Sequence, residues 1–154
     1  YTSCFGVKKG TYYVAVKNSD KYYGLKVTFS SVKENSGTSK SKAKLISKGS
    51  TKKGVITANQ KAGTGDWYKF VVKKTQKVTL KISTKLGGYS GGIKFALYKK
   101  GDSNAFGSKN IYDTPSSELQ PYTFGKNGKL AAGTYYIKVE KYSDGNGYYS
   151  IKWK

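Results

Sequence analysis

Acid–base or nucleophilic chemistry needs a base, and this sequence contains no His. That removes the usual general base, the commonest zinc ligand and the one side chain that normally changes charge near neutral pH. Ser-x-x-Lys spacing occurs at Ser39/Lys42, Ser41/Lys44 and Ser50/Lys53. A catalytic Ser–Lys pair requires a desolvated Lys, whereas a stretch this rich in Ser and Lys produces the spacing by composition alone. The eight carboxylates are scattered, and Asp20, Asp102, Asp113 and Asp144 sit in turn-like surroundings. No carboxylate pair of the glycosidase kind is legible. Gly87-Gly88-Tyr89-Ser90-Gly91-Gly92 lacks the Lys-Ser/Thr ending and the following helix of a phosphate loop, so it reads as a turn. Cys4 is the single cysteine and forms no disulfide within the chain; it reads as a small packing residue. The residue inventory therefore points away from an enzyme.

What remains is aromatic surface. Trp67, Tyr98, Tyr136 and Tyr148 each fall on the lysine-bearing side of an alternating stretch, which directs them toward solvent. Such rings give large, rigid contact area with a polar handle, suited to glycans and extended peptides. They serve equally as cross-strand pairs or as packing against a neighbouring repeat. These four are the candidate ligand-binding residues.

The elements that must hold them are strands. Tyr68, Phe70 and Val72 alternate with Trp67, Lys69 and Val71; Val78, Leu80 and Ile82 with Thr79, Lys81 and Ser83; Ile93, Phe95 and Leu97 with Lys94, Ala96 and Tyr98. Tyr135, Ile137 and Val139 alternate with Thr134, Tyr136 and Lys138, and Tyr149, Ile151 and Trp153 with Tyr148, Ser150 and Lys152. Gly54–Thr57 reads as an earlier strand and Leu119–Phe124 as a short one, and no stretch has a helical period. Strands with one wet and one apolar face must cover each other, which predicts an all-β, antiparallel β-sandwich.

One pattern is written twice. Gly10-Thr11-Tyr12-Tyr13-Val14-Ala15-Val16 returns as Gly133-Thr134-Tyr135-Tyr136-Ile137-Lys138-Val139, 123 positions later. Tyr22-Tyr23-Gly24-Leu25-Lys26-Val27 returns as Tyr148-Tyr149-Ser150-Ile151-Lys152-Trp153, 126 positions later. A spacing of that size indicates tandem domains. Residues 1–33 are expected to be the C-terminal hairpin of a preceding, truncated repeat, with Asn18-Ser19-Asp20-Lys21 as its turn. Residues 34–42 have the Ser/Lys-rich composition of a linker, and residues 43–154 form the intact sandwich. A first residue of Tyr and the lack of Met suggest a processed or excised piece.

Charge bounds the partners. The sequence has 29 basic against 8 acidic residues, a formal charge of +21, and every basic residue is Lys. Without Arg there is no bidentate reader of guanine or phosphate, so specific nucleic-acid recognition is not expected. Attraction to an anionic polymer by charge alone is expected, beside the simpler role of Lys in solvating strands and discouraging edge pairing. No apolar run reaches the ~20 residues of a membrane-spanning helix.

The ordered set Lys53-Gly54-Val55-Ile56-Thr57, Asp66-Trp67-Tyr68-Lys69-Phe70, Lys94-Phe95-Ala96-Leu97-Tyr98, Leu130-Ala131-Ala132-Gly133-Thr134-Tyr135-Tyr136-Ile137-Lys138-Val139 and Gly147-Tyr148-Tyr149-Ser150-Ile151 resembles the bacterial pre-peptidase C-terminal domain over residues 43–154. It is similar to the collagen-binding domain of clostridial collagenases. The resemblance implies a jelly-roll-like sandwich, a secreted or cell-surface accessory module without catalysis, and neighbouring domains in the same polypeptide. Its partner is expected to be an extracellular polymer, whether polysaccharide, collagen-like protein or polyanion. It also implies calcium near the N-terminal linker. Calcium wants several oxygen ligands, usually with more than one carboxylate, and this linker offers only Glu34 with Asn35; no cofactor is assigned. Asp66 is expected to orient the start of its strand by accepting backbone hydrogen bonds. A purely structural spacer is the alternative role.

Overall fold

The computed structural model describes residues 3–17, 20, 22–87, 91–112, 120–123 and 129–154, the backbone alone at residues 120–123. Most of the turn expected at residues 18–21, the centre of the glycine-rich connection at residues 88–90, Asp113, Leu119 and Phe124 lie outside these residues.

Where Lys alternates with an apolar side chain the chain extends, because only an extended strand sends successive side chains to opposite faces. Among the described residues eleven strands result: β1 (Lys44–Leu45), β2 (Thr51–Ile56), β3 (Gly65–Val72), β4 (Gln76–Lys77), β5 (Thr79–Gly87), β6 (Gly92–Lys99), β7 (Gly107–Tyr112), β8 (Gln120–Thr123), β9 (Lys129–Leu130), β10 (Gly133–Tyr142) and β11 (Asn146–Trp153). They assemble as a five-stranded sheet in the order β1-β3-β10-β6-β7, a four-stranded sheet β2-β11-β5-β8, and a small β4-β9 pair. Pairing is antiparallel throughout except for β1, which runs parallel to β3.

The two large sheets meet through the faces the alternation assigns to the interior. Tyr68, Phe70, Phe95, Leu97, Ile137 and Val139 from one sheet and Ile56, Leu80, Ile82, Tyr149 and Ile151 from the other are essentially inaccessible to water. Rings cross the interface directly: Phe70 and Trp153 have centroids 5.2 Å apart, and Phe95 meets Tyr149 edge-on at 5.9 Å. Burying each such ring removes 150–250 Å² of surface from water, and at ~25 cal/mol per Å² this apolar layer is the main force closing the sandwich.

Two expectations about the repeated stretch need correction. β10 and β11 are not a hairpin: β10 lies between β3 and β6 in one sheet, and β11 between β2 and β5 in the other. The chain turns between layers at Ser143-Asp144-Gly145, helped by the positive φ of Ser143 (51°) and Gly147 (133°). The earlier copy, expected as two strands at residues 11–16 and 25–29, forms no ladder among its described residues. Two isolated strands are not stable in water without further strands to pack on, and the described residues supply none to them. Among the described residues it is anchored at its leading end, with Gly6 N–H donating to Asn146 Oδ1 (2.9 Å) and Ala58 N–H to Gly6 O (2.9 Å).

Candidate functional site

Period-two alternation places Trp67 on the outer face of β3, Tyr136 and Lys138 on β10, and Tyr98 on β6. The register then brings them together, with Tyr136 opposite both Tyr98 and Lys69, and Lys138 opposite both Trp67 and Ala96. Trp67 and Tyr98 lean toward each other above β10, with ring centroids 5.2 Å apart and planes tilted by 40°. Ala96 is buried although it belongs to this outer face, because the side chains around it close over it. Three of the four candidate aromatics thus form one half-buried surface on the five-stranded sheet.

Tyr148 does not join them. It lies on the outer face of the four-stranded sheet, opposite Val55 and Lys85, on the far side of the sandwich. Sequence alternation marks a residue as outward but carries no information on which sheet its strand enters.

The Ser/Lys-rich segment at residues 34–42 lies against this site. Gly37 and Trp67 exchange backbone hydrogen bonds (3.0 and 2.8 Å), extending the edge of β3 beyond its pairing with β1. The segment then turns, with Lys42 N–H donating to Ser39 O (3.1 Å), and carries Lys40 over the aromatic surface. Lys40 Nζ stands 5.1 Å from the Tyr98 ring centre and 5.2 Å from that of Tyr136, and donates to Asp102 O. An ammonium over a ring face at this range is attracted by about 0.5–1 kcal/mol at an exposed site. Lys138 Nζ approaches Trp67 (5.9 Å) while bound to Glu140 (2.6 Å) and donating to Gly63 O (2.8 Å). The surface is therefore electron-rich rings framed by fixed ammonium groups.

Beneath the same edge lies a polar cluster that the strand parity could have revealed. Asp66 is two residues before Tyr68 and so shares its inward face. It does not accept the backbone hydrogen bonds expected of a strand-start residue; instead Tyr149 Oη donates to Asp66 Oδ2 (2.5 Å) and Ser36 Oγ lies 3.0 Å from Oδ1. Ser36 Oγ also reaches Glu34 Oε1 (2.9 Å), and the Tyr68 and Tyr149 hydroxyls are 2.9 Å apart. Burial pushes the Asp66 carboxyl up to about 7; the hydrogen bond from Tyr149 opposes this, and the Glu34 charge adds to it. Burial also raises both tyrosine hydroxyls. Two carboxylates meet here, but no group of three or more His, Cys, Asp or Glu gathers anywhere among the described residues.

The chain superposes on the pre-peptidase C-terminal domain of a collagenase from Bacillus anthracis with a TM-score of 0.53 and 21% identity, covering 73% of this chain and 94% of that one. The fold is that of a pre-peptidase C-terminal domain. At this identity the likeness speaks for the pre-peptidase C-terminal architecture, an all-β sandwich. No family model matches the sequence, and no curated protein is a significant match. No helix among the described residues is long and apolar enough to cross a membrane.

Proposed function

We propose that the protein is a non-catalytic accessory module, secreted or displayed at the cell surface, that holds an extended polymer against the outer face of its five-stranded sheet. The observation that carries this reading is the convergence of Trp67, Tyr98 and Tyr136 on one face. Flat rings set along a sheet suit stacking against sugar rings or the side chains of an extended protein. The likeness to a domain carried by a collagenase supports an accessory role beside other domains. The test is binding of the full chain to insoluble polysaccharides and to collagen at low and high salt. Trp67→Ala and Tyr136→Ala are each expected to reduce salt-resistant binding at least tenfold, the scale of losing one well-packed aromatic anchor. Binding that both variants leave intact would refute the aromatic face.

Lys40 occupies that face in cis. Lys40→Ala removes an attraction of about 0.5–1 kcal/mol that any ligand must displace, so it is expected to strengthen binding roughly two- to fivefold. Weaker binding would show instead that Lys40 contacts the ligand.

A second reading has its own observation. Lys53, Lys81, Lys85 and Lys152 all fall on the outer face of the four-stranded sheet, and β2, β5 and β11 present no carboxylate there. Lys81 and Lys154 crowd closely enough that the Lys154 pKa is lowered, by their hydrogen bond and mutual repulsion. This face suits an anionic polymer. Retention on heparin that vanishes with moderate salt, and that falls when Lys81 and Lys85 become Gln but not on Trp67→Ala, assigns polyanion binding to this sheet.

A further inference from the structure

We propose that residues 10–29 are the closing arch of a second sandwich of this same fold, N-terminal to the one described, and that their exposed apolar side chains are that sandwich's core.

Aligning the two copies puts Tyr12, Val14 and Val16 at the positions of Tyr135, Ile137 and Val139, and Tyr23, Leu25 and Val27 at those of Tyr149, Ile151 and Trp153. In the later copy these six side chains are at most 6% exposed and form the middle of the core. In the earlier copy they are 48% to 67% exposed. The same pattern is thus completed in one place and bare in the other. Exposed apolar surface of this extent marks a contact that is missing its partner.

The topology says what the partner is. β10 and β11 are central strands of different sheets, each flanked on both sides. A segment built like them needs four strand edges, two in each of two facing layers, with the apolar stripes turned toward one another. A single helix, a single added strand or a flat surface covers at most one stripe. A sandwich body of this fold, equivalent to β2 through β7, covers both.

Two details fit. Tyr13 repeats Tyr136 and Tyr22 repeats Tyr148, so the outward aromatics recur alongside the inward ones. The anchor at Gly6 stands four residues before Gly10, and a Cβ on Gly6 would lie 2.2 Å from Ile56 O, so only glycine reaches that position. Four extended residues span at most ~14 Å. The arch therefore begins close to this sandwich, which places the second one directly beside it.

The test is a graft. In the full chain, residues 133–153 are replaced by a second copy of residues 10–27, in one version with the native short turn and in another with three residues added to match Ser143-Asp144-Gly145. At least one graft is expected to melt in a single cooperative transition with dispersed amide signals. The same graft with Asp at the positions of Val14 and Leu25 is expected to lose that transition. Failure of both turn lengths, or an Asp graft that folds equally well, overturns the assignment. The solution mass of the unmodified chain tests the occupant. A monomer is expected; a dimer that dissociates on Val14→Asp/Leu25→Asp would place the covering sandwich in another molecule and overturn the neighbouring-domain proposal.

Discussion

Raising the pH from about 4 to about 8 is expected to lower the melting temperature of this protein, and Asp66→Asn to remove most of the fall. Asp66 titrates near 7 in the folded chain, against an ordinary value of 3.8, chiefly because its carboxyl is buried and secondarily because Glu34 lies beside it. Between those two values the folded state holds a proton that the unfolded state has released. Stability is therefore intact below about pH 4, declines through the interval, and reaches its lower plateau above about pH 7. A displacement of about three units corresponds to an upper bound of ~4 kcal/mol, and a realistic loss on the order of 2 kcal/mol after partial solvation. For a domain of this size that is roughly 10 °C. With no His in the sequence, no unperturbed side chain changes charge between about pH 5 and 8, where most of the fall is expected. Asn keeps an acceptor for Tyr149 and carries no charge to bury, so the variant should match the parent at pH 4 and exceed it at pH 8. Melting curves across this range decide the matter; a flat parent profile, or an Asn variant with the same slope, would sink the account.

The second large effect is expected at Gly54. It pairs with Tyr149 across β2 and β11, and a Cβ there would stand 2.2 Å from Tyr149 Oη and 2.4 Å from Cζ. Neither atom is the end of a flexible chain, since the ring is fixed between Tyr68 and Phe95. Gly54→Ala must push the ring aside, at about 1–3 kcal/mol for overpacking. The displacement also breaks the hydrogen bonds to Asp66 and Tyr68, with ~1–3 kcal/mol more for buried groups left unpaired. A total near 3–4 kcal/mol is a large share of a typical domain's stability. Denaturant midpoints measure it directly. Adding Tyr149→Phe should recover part of the loss by removing the nearest clashing atom. A Gly54→Ala protein within ~0.5 kcal/mol of the parent would mean that the ring is not held as described.

The difference between what was legible in the sequence and what was not has a common cause. One or two lysines on the outward parity of most strands marked which side is wet, so the sandwich and the outward direction of Trp67, Tyr98, Tyr136 and Tyr148 could be read directly. Asp66 reads as a strand-start residue; its parity with Tyr68 is enough to point it inward, but its partners Tyr149 and Ser36 come from remote segments and could not be read. Alternation is a property of one strand; it does not say which strands become neighbours. That is why Tyr148 parts from the other three aromatics, and why a pair of strands joined by a short polar turn reads as a hairpin when it is an arch. The docking of residues 34–42 was hidden for a different reason. Its hold depends on backbone pairing at Gly37, on Ser36 against Asp66 and on Lys40 over two rings and against Asp102 O, and composition records none of these.

The placement of the last two strands also sets how the molecule is made. β11 joins to β2 across roughly 90 residues of sequence, and β10 to β3 across roughly 70, so the contacts that complete each sheet are among the most distant in the chain. Closing such loops costs entropy before any burial repays it, which puts folding in the slow, millisecond-to-second range of all-β domains. Until residues 133–153 are available, β3 and β6 have no common neighbour, and neither do β2 and β5. A chain emerging during synthesis would then carry several unpaired strand edges at once, the kind of surface that recruits other chains. The dense lysines on those strands keep such intermediates apart by charge until the final arch arrives.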